Sequence, residues 1–154
     1  MQLNACQDQS AEVTALKNRV DSLEKQLAGS YKPGFGEFMT GIQAHHAKLW
    51  FAGLDQNWKL ADFEIHEIIE ALENVQKFQS EREESKLIPT LNPALEALSD
   101  AVGKQDPGLF KTNYEALTAT CNNCHRNVNY GFNLVKTPDT PPFSNQIFKA
   151  EHAQ

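Results

Sequence analysis

The stretch DPGLFKTNYEALTATCNNCHRNVNYG, residues 106–131, decides how the rest of the chain is read. Asp106 followed by Pro107 marks a helix start: the acidic side chain can accept from unpaired first-turn amides, and proline's fixed φ suits the first helical position. Phe110, Tyr114, Leu117, Cys121 and Val128 then share one helical face, with Cys124 and His125 close beside it. Gly131 is the expected end. The segment therefore predicts a helix carrying Cys121-Asn122-Asn123-Cys124-His125 near its C-terminus.

That C-x-x-C-H run is the attachment pattern of a c-type haem. Two thiols three residues apart can add to the two vinyl groups on one porphyrin edge, and the histidine that follows reaches the iron from one face. The spacing also fits a thioredoxin-like redox pair or half of a zinc site. A redox pair belongs in a βαβ context, and no strand pattern is visible. A zinc site needs two further distant ligands, and there is no second C-x-x-C.

Upstream, Asn92 and Pro93 read as another cap and start, with Leu91, Leu95, Leu98 and Val102 on one face and Gly103 as the stop. Before it, Leu60, Phe63, Ile65, Ile68, Leu72, Val75 and Phe78 mark the apolar side of a longer helix. Its opposite face carries Asp62, Glu67, Glu70, Glu73, Lys77, Glu81, Arg82 and Glu84 and reads as solvated. Phe35, Phe38, Met39, Ile42, His45, His46, Leu49 and Ala52 mark a further helix closing at Gly53, with Leu54 to Asn57 as the turn. The expected fold is all-α: an antiparallel up-down-up-down four-helix bundle over residues 34–131. Downstream, Thr137-Pro138-Asp139-Thr140-Pro141-Pro142-Phe143 cannot be regular helix, so residues 132–154 are expected to form an extended tail. Phe132, Phe143 and Phe148 are its apolar anchors, and the tail is expected to fold over the haem edge and exclude water.

Residues 1–30 read differently. Val13, Leu16, Val20, Leu23 and Leu27 form a heptad seam, which extends backward through Gln9 to Cys6. Across a parallel pair, Glu12 would face Lys17 and Arg19 would face Glu24, so the seam is a candidate for a homodimer or trimer. The alternative is an amphipathic helix that folds back on the main domain. Ala28 to Gly34 is the linker. Leu3-Asn4-Ala5-Cys6 resembles the end of a bacterial lipoprotein signal, which would make a lipidated Cys6 a membrane tether. Segment 10–28 also resembles the short coiled-coil arm after the acylated cysteine of some outer-membrane lipoproteins. The net charge of −6 and a pI near 5.3 argue against non-specific nucleic-acid binding.

A four-helix bundle with C-x-x-C-H close to the end of its last helix resembles the cytochrome c prime family, over roughly residues 34–131. Members of that family usually end soon after the haem histidine and lack the N-terminal arm. The resemblance implies one covalent haem c, with Cys121 and Cys124 as thioether links and His125 as proximal iron ligand. His125 lies about 9 Å from the expected helix end. Residues a turn or two into the antiparallel first helix should therefore stand at haem level. Met39 comes nearest, Ile42 is next, and His46 lies deeper on nearly the same stripe. Met39 as distal ligand resembles the low-spin relatives of the family; the bland reading is core filler. His46 is the other candidate, against an ordinary hydrogen-bonded histidine. His45 points about 100° away and is the next choice. His66 reads as a surface residue, and His152 sits in the tail. Trp50, Phe51 and Trp58 are expected to seal one end of the bundle.

The function implied is a monohaem c-type cytochrome that carries single electrons between redox partner proteins in the bacterial periplasm, anchored to a membrane if Cys6 is lipidated. Two alternatives remain. One is a haem protein that binds nitric oxide or carbon monoxide at an open iron position; the other is a structural lipoprotein with a haem domain. No second catalytic constellation points to an enzyme.

Overall fold

A computed structural model describes residues 4–30 and 33–150, with backbone alone for residues 4–8 and 28. The Cys6 side chain and His152 lie outside the described residues. All regular structure among those residues is helical, and no described helix is long and apolar enough to cross a membrane. The chain divides into two compact units, residues 1–33 and 34–154. The first is helix α1, Asn4–Ala28, whose seam residues Val13, Leu16, Val20, Leu23 and Leu27 are all exposed.

The second unit contains α2 (Phe35–Leu54), α3 (Trp58–Phe78), the single turn α4 (Glu83–Lys86), a 3₁₀ turn (Ile88–Leu91), α5 (Asn92–Gly103) and α6 (Pro107–Asn127). Local chemistry fixes the starts. Glu37 accepts from the Gly34 amide at 2.7 Å, and Asn57 accepts from the Leu60 amide at 3.2 Å. Asp106 accepts from the amides of Gly108 and Leu109 at 2.8 and 2.9 Å, with Pro107 directly after it. Asn92 makes no cap. The preceding 3₁₀ turn runs straight into α5, and Leu91 leads in with helical backbone angles.

Helix α2 packs on α3, α3 on α5, α5 on α6, and α6 back on α2. The core between them is apolar: Leu49 and Ala52 from α2; Ala61, Ile65, Ile68, Leu72 and Val75 from α3; Leu95, Leu98, Ala101 and Val102 from α5; Phe110, Tyr114 and Leu117 from α6. Each fully buried Val, Leu, Ile or Phe side chain among them contributes about 1.5–3 kcal/mol of transfer free energy. The stripe expected on α3 is shifted. Phe63 and Phe78 are 51% and 48% exposed, whereas Glu64 is fully buried. Helix α3 also ends at Phe78, so Arg82 and Glu84 leave the solvated face expected of them and belong to the α4 crossover.

Helix α6 stops short of Gly131, in a Schellman motif. The Tyr130 amide donates to the His125 carbonyl at 2.7 Å, and the Asn129 amide donates to the Arg126 carbonyl at 3.2 Å. Asn129 takes the left-handed position, φ 66°, which asparagine tolerates better than most residues. Beyond this turn, residues 131–150 hold no regular secondary structure. Phe148 is buried against Phe51, ring centroids 5.6 Å apart, and its carbonyl accepts from Asn57 at 3.0 Å. The other two expected anchors are not buried: Phe132 is 84% exposed and Phe143 43%.

Candidate functional site

Helices α2 and α6 run in opposite directions past each other. Gly53 and Trp50 meet Phe110, whereas His46, further back on α2, meets Tyr114 and Thr118, further on along α6. Continuing that register brings the beginning of α2 to the end of α6. A cavity of about 340 Å³ lies there. Its walls include Met39, Ile42 and His46 from α2 and Cys121, Cys124 and His125 from α6. Ile68, Leu72, Ile88, Leu91 and Leu117 make the lining apolar, and Tyr130, Asn133 and Val135 from the tail complete it. All six residues singled out from the sequence thus border one cavity.

The two cysteines are free thiols, each partly buried. Burial pushes the Cys121 thiol up to about 12, with Cys124 adding to the effect, and burial also raises Cys124. Reactive thiols of redox pairs are shifted the other way, by helix N-termini or adjacent cations. Cys124 sits in the last turn of α6, the end whose dipole disfavours a thiolate, and Cys121 lies one turn further in.

His125 has its proton assigned by its partner. Nδ1 lies 2.6 Å from the Asn133 carbonyl oxygen, which can only accept, so Nδ1 carries the hydrogen. The Nε2 lone pair is then left for a ligand. Metal-bound histidines are held in this way.

His46 is 6% exposed, and its two ring nitrogens both have partners. Thr118 spends its hydroxyl proton on the Tyr114 carbonyl at 2.9 Å, so at 2.8 Å from His46 Nε2 it must accept. Nδ1 is then unprotonated, and the single Tyr114 hydroxyl proton is divided between it, at 3.0 Å, and the His46 carbonyl, at 2.9 Å. Burial lowers His46 to about 4, so the ring is neutral. Coordination by His46 would break one of these buried hydrogen bonds; Met39 lines the cavity from the same helix without such a network. His45 points elsewhere. Its Nδ1 is 2.6 Å from Glu64 Oε2, which removes it as the next candidate ligand.

The sequence reading missed Glu64. Its carboxylate, wholly buried, is held between His45 and Lys48, the ammonium 2.6 Å from Oε1 but outside hydrogen-bonding angle. Both partners come from α2, one turn of helix apart, and that spacing is the only signal the sequence held. Glu84 was also misread. It lines the cavity, paired with Arg82 at 2.7 and 3.3 Å, and the guanidinium beside it holds its carboxyl below the usual range. Arg82 in turn lies over the Phe35 ring at 4.6 Å. His66 is exposed and bonded to the Asp62 carbonyl, as a surface residue would be.

At the far end of the α2–α6 contact, Trp50, Trp58, Phe110 and Tyr114 form a continuous ring cluster with centroids 4.8–6.1 Å apart. No protein-family model, curated protein or solved structure matches this chain. Among the described residues no three His, Cys, Asp or Glu side chains converge as a metal-chelating group. A structural zinc site needs four such donors, whereas haem iron asks the protein for one or two.

Proposed function

We propose that residues 34–131 are the haem domain of a monohaem c-type cytochrome, an antiparallel up-down-up-down four-helix bundle of the cytochrome c prime kind whose role is one-electron transfer. One observation carries the reading: both thiols and the imidazole of the C-x-x-C-H run border the same apolar cavity as Met39, Ile42 and His46. Cys121 and Cys124 would hold the group by thioether bonds, each thiol adding across one vinyl double bond without change of its own oxidation state. His125, its Nδ1 proton committed to Asn133, would offer Nε2 to the metal. When bound, the haem supplies an iron that cycles between two oxidation states one electron apart. The apolar side chains of α3, α6 and the 3₁₀ turn exclude water and so disfavour the more charged state. Partners are other redox proteins, the compartment is the bacterial periplasm, and a lipidated Cys6 would be the tether.

The apolar distal wall also favours a second reading, binding of nitric oxide or carbon monoxide, if Met39 leaves the iron open. The test is direct. Chain produced alongside haem-attachment machinery should keep its Soret band through acidified organic solvent extraction. Cys121→Ser or Cys124→Ser should weaken or abolish that retention. Haem that washes out of the wild-type protein would end the c-type reading.

A further inference from the structure

We propose that Asn122 is a positioning residue for His125, acting through the tail. This rests on the haem reading above and adds to it a residue and a segment that the C-x-x-C-H pattern does not specify. Asn122 occupies the first variable position of the run. Its Oδ1 accepts from the Val135 amide at 2.9 Å, and its Nδ2 donates to the Val135 carbonyl at 2.8 Å. One side chain therefore satisfies both main-chain groups of one residue, as a neighbouring strand would. Two residues earlier, the Asn133 carbonyl takes the Nδ1 proton of His125 at 2.6 Å.

The two contacts share a register. Asn122 and His125 are three apart on α6 and so lie on adjacent turns of one face. Asn133 and Val135 are two apart in non-helical chain and present their main-chain groups to that face. The Schellman turn at Asn129 reverses the chain so that this pairing can form. A carbonyl in an irregular segment has no ladder to fix it. The Asn133 amide donates to the Tyr130 carbonyl at 2.9 Å, which holds the chain before that carbonyl; the bidentate amide of Asn122 holds it on the far side, at Val135, and the Asn133 carbonyl between them stays in line with His125. The tail residues that it seats, Asn133 and Val135, are also cavity wall. The tail is therefore part of the site.

The test compares wild type with Asn122→Ala, Val135→Pro and the double variant, all with haem attached. Val135→Pro deletes the amide that Asn122 accepts from and leaves every side chain of α6 in place. A carbonyl on Nδ1–H makes the imidazole a stronger donor to iron and favours the ferric state. Each single variant should therefore raise the midpoint potential, with covalent haem retained, and the double variant should add nothing to either. Additive shifts, or no shift in Asn122→Ala, would overturn the proposal. If the wild-type protein carries no covalent haem, the haem reading fails separately and the clamp is tested on the haem-free chain. There nitrogen-15 NMR should find His125 protonated on Nδ1 in wild type and moved toward the Nε2–H tautomer in Asn122→Ala, with faster tryptic cleavage after Lys136. An Nε2–H tautomer in the wild type would sink the idea.

Discussion

Gly53 and Phe110 meet so closely that a methyl group on the glycine would sit 2.1 Å from Cζ of the ring. The ring cannot retreat, because it is fully buried among Trp50, Trp58 and Tyr114. Gly53 is thus required by space. Its backbone angles are ordinary for a helix; the close approach of α2 to α6 depends on the missing side chain. Gly53→Ala should destabilise the protein by about 1–3 kcal/mol, the usual cost of overpacking, read from urea unfolding. A loss under about 0.5 kcal/mol, within the range of neutral surface changes, would mean that the aromatic cluster yields.

His46 makes stability depend on pH. Its folded value is about 4 and its ordinary value 6.5, so on acidification the unfolded chain takes up the proton first. The stabilisation is complete above pH 6.5 and drains away as pH falls toward 4, at about 1.4 kcal/mol per pH unit, or roughly 3 kcal/mol in all. Urea unfolding between pH 7.5 and 4.5 should show this slope in wild type and a shallower one in His46→Gln. Parallel profiles for the two proteins would contradict it.

On the haem reading, the sixth position of the iron would decide between electron carrier and gas binder. With both nitrogens of His46 engaged, Met39 is the ligand we expect, and the haem should be low-spin and six-coordinate in both oxidation states, slow to take up carbon monoxide. Met39→Ala should turn it high-spin and gas-binding, visible in the absorption spectrum. His46→Ala should leave the spin state unchanged and cost stability. A wild-type spectrum already high-spin and five-coordinate would promote the gas-binding reading.

The exposed seam of α1 makes a separate prediction. Five apolar residues between 51% and 68% exposed need cover, and the Glu12–Lys17 and Arg19–Glu24 complementarity suits a parallel second copy. Deleting residues 1–30 should lower the mass on sedimentation and leave the haem spectrum as it was. An unchanged mass would rule the pairing out.

What could be read from the sequence was local. Asp106-Pro107 announced α6, the stripes located α2, α3 and α5, and C-x-x-C-H with Met39, Ile42 and His46 named six residues that border one cavity. What could not be read was pairing across distance. Helical periodicity assigned Phe63 to the core because it scores apolar character alone; Glu64 is buried instead, with its carboxylate held between His45 and Lys48 on a neighbouring helix. The segment after Phe78 gave no periodic signal, because a single turn and a 3₁₀ turn are too short to show one. Nothing in the sequence singled out Asn122, because its partner lies thirteen residues further on, beyond the end of the helix.

The tail also sets an order of events. Its last anchor joins Phe148 to Asn57 across ninety-one residues, and contacts so far apart in sequence carry the largest loop-closure cost and reward the chain only once the intervening helices have formed. The wall made by Asn133 and Val135 is held instead by contacts only eight and thirteen residues long, to His125 and Asn122, so it needs little more than α6, and the stretch that ends at Phe148 is the part of the tail that closes last.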